Sequence, residues 1–160
     1  HPRFPELTEG QICEALALAC FGERDLEALF KKSLVSFFEG LISSEHRERL
    51  AKECPTHWVV PTGNRLRVEY SEEQGARVEV RLQELFGLAR APQIAGQNLT
   101  LVLLGPNFRP VQVTRDLESF WRNGYPEVRK ELRARYPKHS WPEDPLSAKP
   151  QSKGRPRNLS

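Results

Sequence analysis

Along the first third of the chain apolar residues recur at helical spacing, and beyond it they alternate. Ile12, Ala15, Leu16 and Ala19 follow Thr8-Glu9-Gly10-Gln11, whose hydroxyl and amide suit a capping box. Gly22 is placed to stop that helix. Leu26, Leu29, Phe30, Ser33, Phe37 and Leu41 lay an apolar stripe on a second helix starting near Asp25, and Phe38 broadens it. A third helix starts at Ser43 or Ser44 and must end before Pro55, because the residue ahead of a proline avoids helical geometry. Residues 1–54 therefore read as a helical segment whose stripes are core rather than ligand sites.

From residue 55 the period is two. Residues 56–60 read as a strand ending in the turn Pro61-Thr62-Gly63-Asn64. Leu66, Val68 and Tyr70 then alternate with Arg65, Arg67 and Glu69. After a polar turn through Gly75, Val78, Val80 and Leu82 alternate with Arg77, Glu79 and Arg81, which predicts a hairpin with one buried and one solvated face. A short helix over 83–88 closed by Gly87, a nearly continuous apolar strand over 99–104, a Gly105-Pro106-Asn107 turn and a fifth strand over 110–114 follow. Five short strands with a helix between the third and fourth have the order of an OB-fold; another five-stranded barrel or an α+β sandwich fits the same periodicity. The fold class is α+β: an N-terminal helical segment, a five-stranded OB-fold-like barrel over 55–115, and C-terminal helices with an extended strap.

That last part, 116–145, is a helical extension and an aromatic and proline strap. Asp116 or Thr114 can cap a helix carrying Leu117, Phe120 and Trp121; Gly124 and Pro126 punctuate it, and Pro126 suits the first turn of a restarted helix. Residues 146–160 are rich in Ser, Lys, Pro, Gly and Arg and read as a disordered basic tail.

The charge is uneven. The 160 residues carry 24 Lys and Arg against 21 Asp and Glu, a net +3. Residues 1–108 hold 12 basic against 15 acidic groups, and residues 109–160 hold 12 against 6. A basic C-terminal third on a near-neutral body suggests a localised contact with an anion; a solvated basic tail is the plainer alternative. The length suits one sizeable core, with or without a small helical companion. With neither an apolar run of membrane-spanning length nor a signal-peptide layout, the expectation is a soluble cytoplasmic protein without a membrane partner. A chain that starts at His1 and contains no methionine reads as a fragment or processed product. Cys13, Cys20 and Cys54 form no disulfide framework and read as reduced thiols. Cys54 and His57 have the spacing of half a zinc site without a second half, so no metal is expected.

No phosphate-cradling Gly-x-x-x-x-Gly-Lys-Ser/Thr loop, Asp-Glu-x-His box, nucleophile elbow or His-Glu-x-x-His helix is present, and no catalytic residue is assigned. A binding surface remains. On an ideal helix Arg115, Arg122, Arg129 and Arg133 fall in a narrow arc, and with Arg109, Lys130, Arg135 and Lys138 they are candidate phosphate contacts. Pairing with Glu127 or Glu131 is the alternative. Tyr136, His139 and Trp141 could stack nucleobases. The favoured alternative is a strap pinned to the barrel by its aromatics, with Lys138 projecting. Arg65, Arg67, Arg77 and Arg81, alternating with Glu69 and Glu79, read as a solvated ladder.

Several long strings closely resemble the C-terminal signature of the bacterial HrpB-type ATP-dependent helicases. They are Pro55-Thr56-His57, Val60-Pro61-Thr62-Gly63, Val80-Arg81-Leu82-Gln83-Glu84-Leu85-Phe86-Gly87-Leu88 and Pro110-Val111-Gln112-Val113-Thr114-Arg115-Asp116-Leu117. Phe120-Trp121-Arg122, Tyr125-Pro126-Glu127-Val128-Arg129-Lys130-Glu131-Leu132-Arg133 and Arg135-Tyr136-Pro137-Lys138-His139-Ser140-Trp141-Pro142-Glu143-Asp144-Pro145 come after these in order. The helical start matches only by pattern, and Leu103-Leu104-Gly105-Pro106-Asn107 departs from the family's usual loop. The resemblance implies that 1–54 ends a helicase helical region, 55–115 is its OB-fold-like domain and 116–145 a family-specific extension. It further implies single-stranded RNA, or DNA, as partner, with motor domains in cis. ATP and magnesium would bind only in those motor domains, so this chain takes no cofactor of its own. A protein-docking module without nucleic-acid contact is the alternative.

Overall fold

The structure, a computed structural model, describes residues 6–23, 25, 27, 29 and 35–152. The chain divides into two compact units, 1–52 and 53–160. In the first, helix α1 (Glu9–Cys20) opens on the capping box: Thr8 Oγ1 accepts the Gln11 N–H, and the Thr8 N–H donates to Gln11 Oε1 at 2.9 Å. Ala15 and Ala19 are its buried residues, and Gly22, at φ +81°, turns the chain out of the helix. α2 (Val35–Gly40) packs on α1, and Phe37 and Phe38 are half-buried. Leu26, Phe30 and Ser33 of the expected stripe lie outside the described residues. α3 (Ser44–Glu53) begins where Ser43 Oγ accepts the His46 N–H.

In the second unit β1 (His57–Val59) pairs antiparallel with β2 (Arg65–Arg67) through a turn in which Gly63 adopts φ +84°. β3 (Glu69–Ser71) pairs antiparallel with β4 (Gly75–Arg81). β5 (Gln93–Ile94) and β6 (Gln97–Asn98) form a small hairpin. β4 also pairs, in parallel, with β7 (Thr100–Leu104), and β7 pairs antiparallel with β8 (Pro110–Thr114). The largest sheet has the order β3-β4-β7-β8.

Two expectations change here. The strand predicted over 65–70 is two strands, because Val68 turns into the core and its N–H donates to Thr56 O at 2.9 Å. The chain bends at that point from one sheet into another. The five-stranded OB-fold-like barrel does not close: among the described residues the strands form three sheets, and β3 and β8 are left as edges of the largest.

The helix expected over 83–88 is a 3₁₀ turn, Leu82–Leu85, followed by Gly87 at φ +81°. Leu82, Leu85 and Phe86 lie under it and join Val78, Val80, Leu99, Leu101 and Leu103 in one core. Each such side chain, fully buried, contributes about 1.5–3 kcal/mol. Leu117, Phe120, Trp121, Tyr125, Leu132 and Trp141 belong to the same core, so the C-terminal extension completes it rather than standing apart.

α4 (Leu117–Ser119), capped by Asp116, runs into a π-helical turn, Phe120–Gly124, and then into α5 (Tyr125–Arg135) with Pro126 in its first turn. Phe86, Phe120, Trp121 and Tyr125 meet edge-on or tilted at centroid separations of 5.2–6.3 Å. The remaining chain is laced back onto the core. Tyr125 Oη donates to Pro142 O at 2.8 Å, Gly87 N–H to Pro145 O at 2.9 Å, and Gln151 N–H to Gln83 O at 2.9 Å. Residues 146–152, assigned by composition to a disordered tail, are tied to the core by the Gln151 backbone bond and by the packing of Ala148; 153–160 lie outside the described residues.

Candidate nucleic-acid interface

The expected arc of arginines is not assembled. The π-helical turn inserts an extra residue, which rotates the downstream helix by roughly 100° relative to a straight continuation. Arg115 donates from Nε to Thr100 Oγ1 and from Nη2 to Gln74 O, both at 2.9 Å, and so ties β7 to the β3–β4 turn. Arg122 pairs with Glu118 at 3.3 Å, and Glu118 also accepts from Arg90 at 2.7 Å. Arg135 pairs with Glu131 at 3.6 Å. Arg129 turns towards the strap, where Nε donates to Trp141 O at 2.9 Å and Nη2 meets Glu143 at 3.1 Å.

The candidate stacking residues divide in the same way. Trp141 is 7% exposed and its Nε1 donates to Tyr136 O, so its faces are spent on the core and cannot receive a base. Tyr136 packs against that core half-buried, and His139 lies between the two rings at 6.1 and 6.3 Å. Asp144 accepts from the Ser147 hydroxyl and the Leu146 N–H, and these bonds, the hydroxyl's first, lower its pKa.

Four candidates have no ion-pair partner among the described residues: Arg109, Lys130, Arg133 and Lys138. Lys130 and Arg133 are neighbours three residues apart on the exposed side of α5. Arg109 lies on the β7–β8 turn, which sits against α5: a Cβ built on Gly105 would lie 3.6 Å from Leu132 Cδ2. Lys138 comes after α5 at the start of the strap. These exposed cations can hold phosphate oxygens without first breaking an internal bond.

One polar cluster has no counterpart in the sequence pattern. Arg81, Gln83 and Glu84 are buried. Glu84 accepts from Thr62 Oγ1 at 3.1 Å and Asn64 Nδ2 at 3.0 Å, pinning the β1–β2 turn. Arg81, expected on a solvated ladder, is 5% exposed; its Nη2 donates to Gln83 Oε1, its Nε has no acceptor, and Phe108 covers it with the ring centroid 5.7 Å away. Phe108 holds φ +61°, an unusual conformation for a bulky residue. The only sequence signal was the break in alternation at Arg81-Leu82-Gln83-Glu84, where strand gives way to turn.

Burial pushes the Tyr125 hydroxyl up to about 12, against the lowering influence of Arg129. Tyr70, whose hydroxyl donates to Pro55 O, is also pushed up to about 12, by burial and then by Cys54. The Cys54 thiol is raised by burial and by Glu53. Among the described residues no three His, Cys, Asp or Glu side chains come together as metal ligands, and no helix is long and apolar enough to cross a membrane.

Comparison with known proteins adds a family. The family described as ATP-dependent helicase C-terminal matches residues 16–145. The chain is 43% identical over 131 residues to the ATP-dependent RNA helicase HrpB of Escherichia coli (strain K12), covering 81% of this chain but 16% of that protein. It superposes on a crystal structure of the E. coli DExH-box NTPase HrpB with a TM-score of 0.81 and 38% identity, over 94% of this chain and 19% of the other. A crystal structure of the E. coli DEAH/RHA helicase HrpB gives 0.63 and 40%, over 82% and 17%. The chain thus spans under one fifth of the relatives it matches.

Proposed function

The chain belongs to the ATP-dependent helicase C-terminal family of HrpB-type proteins, and from that premise we propose that it serves such a helicase as an accessory domain contacting single-stranded nucleic acid in the cytoplasm. RNA is the expected ligand, since the E. coli relative is named an RNA helicase. The domain would also brace the motor domains, which would hold ATP and magnesium outside this chain and supply the hydrolysis that drives unwinding. The contribution of this chain is positioning: a rigid unit presenting cations to phosphate. The observation that carries the reading is the set of exposed cations Arg109, Lys130, Arg133 and Lys138 in the basic C-terminal third, which have no ion-pair partner among the described residues.

A salt series of fluorescence anisotropy with a labelled single-stranded RNA tests it. Lys130→Ala with Arg133→Ala should weaken binding regardless of base sequence and reduce the magnitude of the salt slope by about 1–2. An unchanged affinity and slope would remove these two residues from the interface. A second reading, docking on the motor domains without nucleic-acid contact, draws on the internal use of Arg115, Arg122, Arg129 and Arg135. It predicts no RNA binding by the wild-type chain even at low salt.

A further inference from the structure

The β3-β4-β7-β8 sheet carries a groove of about 470 Å³ whose lining includes no residue of α5. Arg77 and Arg115 line it together with the apolar side chains of Val102 and Val113 and the polar residues Thr100 and Gln74. Among the described residues no acidic side chain lines it.

The two arginines are held differently. Arg115 is fixed by the bonds to Thr100 Oγ1 and Gln74 O, so its guanidinium is oriented before any ligand arrives. Arg77 shares one Nη with Glu79 at 3.3 Å, and its Nε is buried without an acceptor. Val113 is 57% exposed on the edge strand β8, opposite Val102 of β7, and adds an apolar surface to the groove that the two arginines line. A second groove of about 350 Å³ adjoins the first and shares Arg115 as a wall. Asp116 and Glu118 line the second groove, so a phosphate is favoured in the first.

We propose that this groove is a second contact for single-stranded nucleic acid, with Arg77 and Arg115 flanking a backbone phosphate and Val113 and Val102 supporting the adjoining sugar or base. The assignment rests on the nucleic-acid reading above and adds a site to it. Arg115 is a poor probe because it also holds the fold. Val113 is a good one, since an exposed side chain can change charge without disturbing the core.

The test is anisotropy of the 160-residue chain with a labelled oligouridylate at about 50 mM salt, for wild type, Val113→Glu, Val113→Lys and Arg77→Gln. Val113→Glu should weaken binding about five- to tenfold, Val113→Lys tighten it about two- to threefold, and Arg77→Gln weaken it while reducing the magnitude of the salt slope by about 1. A lysine variant that binds more tightly than wild type cannot be explained by misfolding. Wild-type binding with all variants unchanged would overturn the groove and leave the α5 contact standing. A wild-type chain that binds nothing would overturn the nucleic-acid reading itself, and the groove with it.

Discussion

Arg129 and Arg133 are one turn apart on α5 and have opposite fates. Arg129 spends its donors on Trp141 O and Glu143, whereas exposed Arg133 has no hydrogen-bond or ion-pair partner among the described residues. Arg129→Ala is therefore expected to lower stability by about 1.5–3 kcal/mol, read from a urea midpoint, with the strap loosened rather than a phosphate contact removed. Arg81 presents the reverse case. A buried cation with a bare Nε and one neutral acceptor is costly, so Arg81→Met should leave the melting temperature unchanged or raise it. A clear drop would mean that the Phe108 contact stabilises more than the burial costs. Tyr125 bears on pH. Its folded-state pKa of about 12 lies above the ordinary 10, so its contribution is complete below about pH 10 and is lost as pH rises towards 12. Tyr125→Phe should remove that part of the alkaline decline in stability, and it also removes the bond to Pro142 O.

The helical connection α4–α5 depends on the π-helical turn and on Gly124. A Cβ there would lie 2.9 Å from Phe120 Cδ2, and Phe120 is itself locked in the core. Gly124→Ala is expected to cost about 1–3 kcal/mol, measured by thermal unfolding. The sequence shows Gly124 and Pro126 as punctuation but not the turn that joins them, because apolar spacing reports which side of a helix is buried and not a local gain of one residue. The same limit applies to strands. The alternation over 75–82 announced β4, and the apolar run 99–104 announced β7, yet nothing in either pattern reveals that they pair in parallel. Val68 kept its place in the alternation while the chain bent around it. Thr8 and Gln11 were fully legible, since a capping box is complete within four residues. The candidate interface was legible only as a set of cations. Some of their partners are local, as Glu118 is for Arg122 and Glu131 for Arg135, but Arg129 is taken by Glu143 at a separation of 14 and Arg115 by Gln74 O at 41, which no local pattern shows.

At the scale of the molecule, the residues of the main core all come from the unit spanning 53–160. That unit, produced without 1–52, should unfold in one cooperative transition in denaturant; a broad, non-cooperative loss of tryptophan fluorescence would contradict this. The lacing of residues 136–152 has a consequence in time. Gln83 bonds Ser140 across 57 positions, and its carbonyl also receives Gln151. Such closures carry a loop entropy that local turns do not, so they form after the nearby pairings when the chain refolds. Until they form, Leu82, Leu85 and Phe86 lack their cover, and the early compact state exposes an apolar surface that the finished protein hides. Refolding yield should therefore fall steeply as protein concentration rises, and dilution should rescue it.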